Sequence, residues 1–145
     1  GGLLVGNMIT LYPELFRAVV CQVPLLDMQR YHLLLAGASW KAEYGDPDNP
    51  DDWAFMKGFS PYHNLRPNTR YPAVLFATST RDDRVHPAHA RKMMARMQEL
   101  GANVRYYENI EGGHGGAADN RQAAHLSALG YMFLQQQLRL PADLP

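Results

Sequence analysis

Residues 73 to 78 read Ala-Val-Leu-Phe-Ala-Thr, an unbroken apolar run entered from Tyr71-Pro72 and left into Ser79-Thr80-Arg81-Asp82. A strand of that composition has to be covered on both faces, which happens where a parallel sheet is layered between helices. Residues 18 to 23, Ala-Val-Val-Cys-Gln-Val, repeat the pattern and stop at Pro24, and Val104 to Ile110 make a third, more alternating run. Between the last two, Ala90, Met93, Met94, Met97 and Leu100 fall at helical spacing, with Pro87 near the start and Gly101 just past the end. A final helix is predicted around Leu126, Gly130, Phe133, Leu134 and Leu138, with Asp119 and Gln122 placed as a capping box. Strand, helix, strand, helix in this order predicts an α/β fold, a parallel sheet flanked by helices with right-handed crossovers.

Charge removes two classes of partner. The 145 residues carry 14 Lys and Arg against 14 Asp and Glu, so there is no cationic excess to hold nucleic acid or an anionic membrane surface. With 46% hydrophobic and 19% charged residues the chain is globular in composition. No apolar run approaches the ~20 residues needed to span a bilayer. The single cysteine, Cys21, excludes an internal disulfide and leaves the compartment open. The chain opens Gly1-Gly2-Leu3-Leu4-Val5, without Met or a charged leader, and runs at once into an apolar segment of helical character. The expectation is an internal start, with residues 1 to 145 forming one domain truncated at its N-terminal side.

Two loops concentrate reactive side chains. Ser79-Thr80-Arg81-Asp82-Asp83-Arg84-Val85-His86-Pro87 follows the second strand, and Glu111-Gly112-Gly113-His114-Gly115-Gly116 follows the third. Both lie at the C-terminal edge of the sheet, where α/β proteins build their sites. An acid after one strand and a glycine-flanked histidine after the next are two members of a Ser, Asp, His hydrolase triad in that order. The serine should stand in a Gly-x-Ser-x-Gly elbow, and Gly1 or Gly2 fits the closing glycine of such an elbow. Ser60 is excluded because Pro61 has no N–H to offer an oxyanion. Ser39, in Gly37-Ala38-Ser39-Trp40-Lys41, is the strongest competitor, though Lys41 stands where the elbow's last glycine belongs. Cys21 lies mid-strand, where a cysteine acts as a small inert hydrophobe. Residues 24 to 72, with Trp40, Trp53 and a polar Gly45-to-Asp52 stretch, read as a long excursion of loops and short helices between strands.

Several stretches together carry a family pattern: Gly1-Gly2-Leu3-Leu4-Val5, Gln22 to Met28, Trp40 with Tyr44-Gly45, Ser60-Pro61-Tyr62-His63-Asn64, Asp82-Asp83-Arg84-Val85 and Gly113-His114-Gly115. The chain resembles the C-terminal half of the α/β-hydrolase domain of the prolyl oligopeptidase family of serine peptidases. That resemblance implies hydrolysis of peptides, after proline in the best-known members, with the nucleophilic serine two residues before Gly1. It implies that Asp82 is the triad acid and His114 the triad base. It further implies that Arg84 binds a substrate backbone carbonyl, and that Trp40, Tyr44, Leu25 and Val85 wall the pocket for the residue before the cut bond. Serine, oxyanion donors and the family's β-propeller would all lie upstream.

Plainer readings stand beside these roles. Asp82 and Asp83 suit a helix start and pairing with Arg81 or Arg84. Four glycines around His114 pack nothing, which favours a loop that presents the imidazole. His86 and His89 lack the Cys or Glu partners of a metal site, and His32, His63 and His125 read as structural or surface residues. No metal and no cofactor are expected; the expected partners are a peptide substrate, the missing N-terminal part of the same protein and, through an exposed sheet edge, a second copy. The alternatives to a peptidase are an esterase or aminoacyl-peptidase of the same fold, and a non-catalytic binding module.

Overall fold

The computed structural model describes residues 1–139; the last six residues of the predicted domain lie outside them. Helix α1 (Gly2–Leu11) leads to strand β1 (Ala18–Gln22). The excursion that follows holds short 3-10 turns and two brief helices, α2 (Lys41–Tyr44) and α3 (Pro50–Met56). Strand β2 (Ala73–Ser79), helix α4 (Ala88–Glu99), strand β3 (Val104–Asn109) and helix α5 (Asn120–Leu138) complete the order. The three strands form one parallel sheet in the order β1-β2-β3, with Cys21 opposite Phe76 and Ala77 opposite Tyr107. No described helix is long and apolar enough to cross a membrane.

Every residue of the central strand β2 is buried, as its apolar run requires. Val74 and Phe76 face a core made with Ile9 of α1 and with Ala90, Met93 and Met97 of α4. Ala73 and Leu75 face the other way, onto Phe133 of α5 with Leu129 and Leu134 beside it. Helix α1 lies close against the excursion because it carries glycine four residues apart on one face. A Cβ on Gly2 would sit 2.4 Å from the Pro24 Cα, and one on Gly6 would sit 2.4 Å from Leu26 Cδ2 and 2.9 Å from Pro61 Cγ.

β1 and β3 each end one residue earlier than their sequence runs, whereas β2 continues one residue further, to Ser79. β1 stops at Gln22 because Val23 turns to a φ of 41°, a conformation costly for a β-branched residue. Its N–H is still satisfied, donating to the Ala77 carbonyl at 2.8 Å. β3 stops at Asn109, leaving Ile110 outside and exposed. Only half of the predicted capping box forms. The Asp119 side chain accepts from the Gln122 N–H at 2.8 Å, while the Gln122 amide turns away from Asp119 toward Asn109 and Glu111. Cys21 is fully buried, and burial pushes its thiol up to about 12, so it holds its proton at neutral pH.

Candidate active site

Asp82 sits three residues beyond the end of β2 with its carboxylate wholly buried. Oδ1 accepts the backbone N–H groups of Arg84 and Val85, each at 2.9 Å, and this tight turn aims the carboxylate back across the sheet edge. His114 Nδ1 stands 2.9 Å from Oδ2 and 3.1 Å from Oδ1. An ionised carboxylate only accepts, so Nδ1 carries the proton and Nε2 keeps its lone pair. Among the described residues nothing hydrogen-bonds Nε2, and a third of the imidazole is exposed. Asp83, one residue along, is exposed and makes no such contact. The turn-forming and histidine-orienting readings of Asp82 are therefore both satisfied by one side chain.

The loop that carries His114 is held at its base by a residue sequence inspection passes over. Asn109, the last residue of β3, is buried. Its Oδ1 accepts from the Glu111 N–H at 2.9 Å and the Gly112 N–H at 3.1 Å. Its Nδ2 donates to the Gly116 carbonyl at 3.1 Å and to Gln122 Oε1 at 2.8 Å. Gly112 has to be glycine, since a Cβ there would meet the Gly116 carbonyl oxygen at 2.8 Å, and Gly116 itself has a φ of 85°.

His114 opens onto a cavity of about 470 Å³ that Arg84, Val85, Leu25, Trp40 and Tyr44 also line. All five residues singled out in the sequence thus meet at one place, although they come from three separate segments. The apolar wall belongs to a packed cluster in which Leu25 and Val85 join Met28, Tyr31 and Met56, with Trp40 and Tyr44 against them. Tyr31 braces that wall by donating its hydroxyl to the Gly45 carbonyl at 2.6 Å and by meeting the Tyr44 ring edge-on. Leu3 of α1 and Glu43 of α2 line the cavity as well, and neither was singled out, because an exposed glutamate and a helical leucine carry no local signal. Arg84 is exposed and its guanidinium has no hydrogen bond among the described residues.

The competing groups are occupied elsewhere. The Ser39 hydroxyl donates to the Ala36 carbonyl at 2.6 Å. Ser60 is fully buried, accepts from the Met28 N–H at 3.1 Å and pairs with His63 Nδ1 at 2.8 Å. His89 Nδ1 accepts from the Leu26 and Asp27 N–H groups at 3.3 and 3.1 Å, and His86 Nδ1 accepts from the Ala88 N–H at 3.0 Å. Both rings are thus committed through Nδ1 to backbone N–H groups of the fold. His32 pairs with Asp48 at 3.0 Å beside Asp46, whose carboxylate already holds the Lys41 ammonium at 2.8 Å.

Comparison with known proteins follows the same lines. The family model for the prolyl oligopeptidase family matches residues 1–140. An uncharacterized peptidase of Sinorhizobium fredii is 51% identical over 138 residues, covering 95% of this chain and 19% of its own length. A prolyl endopeptidase of Dictyostelium discoideum is 41% identical over 106 residues, 72% of this chain and 14% of that protein. Among solved structures, a post-proline cleaving enzyme from Rickettsia typhi superimposes with a TM-score of 0.93 at 40% identity, covering 97% of this chain and 20% of that one. The chain thus spans about a fifth of the length of the relatives it matches. On that sequence match, and with a parallel sheet that overlays a solved relative, the chain belongs to the prolyl oligopeptidase family and carries part of its α/β-hydrolase fold.

Proposed function

We propose that this chain is the C-terminal portion of the catalytic domain of a serine peptidase that cleaves peptide chains after proline. The observation that carries the reading is the buried Asp82 carboxylate on His114 Nδ1, with Nε2 unbonded among the described residues, beside a cavity that Leu25, Trp40, Tyr44 and Val85 wall on one side. In this reading His114 Nε2 takes the proton of a serine hydroxyl as the oxygen attacks the scissile carbonyl, then returns it to the departing amine as the C–N bond breaks. Water repeats the cycle to release the acid. Asp82 fixes the tautomer and stabilises the imidazolium that forms in between. No serine of the described residues is hydrogen-bonded to His114, so the nucleophile and its oxyanion donors are assigned to residues preceding Gly1 in a longer polypeptide.

Substrate choice rests on the cavity wall. A proline ring is compact, apolar and rigid, and it suits packing against the Trp40 indole between Leu25, Tyr44 and Val85. In this reading the Arg84 guanidinium, without a hydrogen bond among the described residues, donates to a backbone carbonyl of the same substrate. Relatives described as prolyl endopeptidases and as a post-proline cleaving enzyme support that preference. The test compares a proline-amide reporter with a matched ester in the longer polypeptide, with His114→Ala alongside. Turnover of the amide, abolished by His114→Ala, is the expected result. Turnover of the ester alone, or activity untouched by His114→Ala, overturns it.

A further inference from the structure

We infer that Asn109 is a positioning residue for His114, a strap that fixes where the imidazole stands; this rests on the reading of His114 as the general base. Asp82 fixes the tautomer and tilt of the ring, but it reaches only Nδ1. The placement of the Cα of His114 is set by the loop from Ile110 to Gly116, which has glycine at 112, 113, 115 and 116 and so little rigidity of its own. Asn109 draws together both ends of that loop. Its Oδ1 holds the N–H groups of Glu111 and Gly112 on the way in, and its Nδ2 holds the Gly116 carbonyl on the way out. The orientation of the amide is unambiguous, because backbone N–H groups only donate and a carbonyl only accepts.

The same Nδ2 also reaches Gln122 Oε1, which accepts the Ala118 N–H at 2.9 Å as well. The Gln122 Nε2 donates to Glu111 Oε2. Gln122 sits in the first turn of α5, so the loop is tied at once to the end of β3 and to the start of the next helix. A buried side chain with both its acceptor and its donor used on one loop is more than a helix cap or a core filler needs. The arrangement requires asparagine in particular. Aspartate keeps the acceptor half but sets a carboxylate oxygen against the Gly116 carbonyl, so the outgoing end of the loop is pushed away while the incoming end stays bonded.

The test is Asn109→Asp in the longer polypeptide, with proline-amide kinetics, the pH profile of kcat/KM, and thermal melting on the same samples. A displaced base loses rate after substrate is bound. The expected result is therefore kcat lower by about ten- to a hundredfold with KM within about twofold, and a shifted acidic limb of the pH profile, where a general base gains its proton, that assigns the change to His114. Gln122→Ala, at the outer end of the strap, lowers kcat in the same sense but less, and it decides the matter where Asn109→Asp does not fold. A lower melting temperature with kcat and pH profile unchanged makes Asn109 purely structural and overturns the inference. His114→Ala is the control for the underlying reading: if it leaves turnover intact the general-base assignment itself fails, whereas its loss of activity beside a normal Asn109→Asp enzyme sinks only the strap.

Discussion

Asp82 shows how much one side chain can be asked to do. Asn at this position keeps an oxygen for the Arg84 and Val85 N–H groups, so the turn survives, but it turns an NH₂ toward His114 Nδ1. The ring then has to present a lone pair at Nδ1 and a proton at Nε2, the wrong tautomer for a base. Asp82→Asn in the longer polypeptide should cut kcat by ~10⁴ with the melting temperature nearly unchanged; turnover near wild type would end the assignment. Arg84→Ala should act differently, raising KM more than it lowers kcat, if the guanidinium binds substrate as proposed and takes no part in proton transfer. The Asp82 and His114 pair was legible from sequence because a strand end, an acid and a glycine-flanked histidine each leave a local trace. Asn109 was not, since a polar residue closing a strand looks like any turn former until its four partners are seen.

At the scale of elements, the excursion between β1 and β2 is latched to α4 by ionisable groups. Asp27 is almost wholly buried and is held by Lys92, with Arg30 at 3.1 Å; Lys92 also lies 4.5 Å from the centre of the Tyr62 ring. Burial acts to raise the Asp27 carboxyl, but the Lys92 and Arg30 charges together with His63 outweigh it and leave it below its ordinary value. Burial lowers His89 from 6.5 to about 4, which keeps Nδ1 free to accept from Leu26 and Asp27. His63 is lowered as well, chiefly by burial. For a lowered histidine the unfolded chain takes up the proton first, so the stability contribution is complete above pH 6.5 and drains away as pH falls toward 4. Asp27 adds a further loss only below its unfolded value of 3.8. Thermal melting should therefore fall steadily from pH 7 to pH 4. His89→Leu should cost about 2 to 4 kcal/mol at pH 7, since it orphans two buried N–H groups, and it should flatten the slope between pH 6.5 and 4. An unchanged slope would move the titration to another group. None of this latch was visible beforehand. Helical spacing marked the apolar face of α4, but His89 and Lys92 find their partners more than sixty residues away in sequence, and no local pattern encodes that.

The sheet as a whole was legible, three strands in parallel with α4 and α5 as covers, because the central strand, buried on both faces, has the composition of a parallel sheet layered between helices. Its edge is the part with physical consequences for the isolated 145-residue polypeptide. β1 is paired on one side only among the described residues, and beside it Val20, Gln22, Leu126, Tyr131 and Leu134 line a groove of about 290 Å³. Tyr131 and Met132 of α5 are largely exposed nearby, and so are Leu4 of α1 and Leu15. An apolar strand with free N–H and C=O groups is a template for another strand. Purified by itself, the polypeptide should self-associate with rising concentration, which light scattering over a dilution series measures; a stable monomer throughout would show the edge to be protected. It should also hydrolyse no proline-amide substrate, because Ser39 and Ser60 are committed to Ala36 and His63 and no serine among the described residues meets His114. Activity in this isolated polypeptide that disappears in His114→Ala and in Ser39→Ala would bring Ser39 back as nucleophile and require the segment from Leu35 to Trp40 to move toward the imidazole. The expected result is no turnover in the isolated chain, with activity only when His114 shares a polypeptide with the residues that supply the serine.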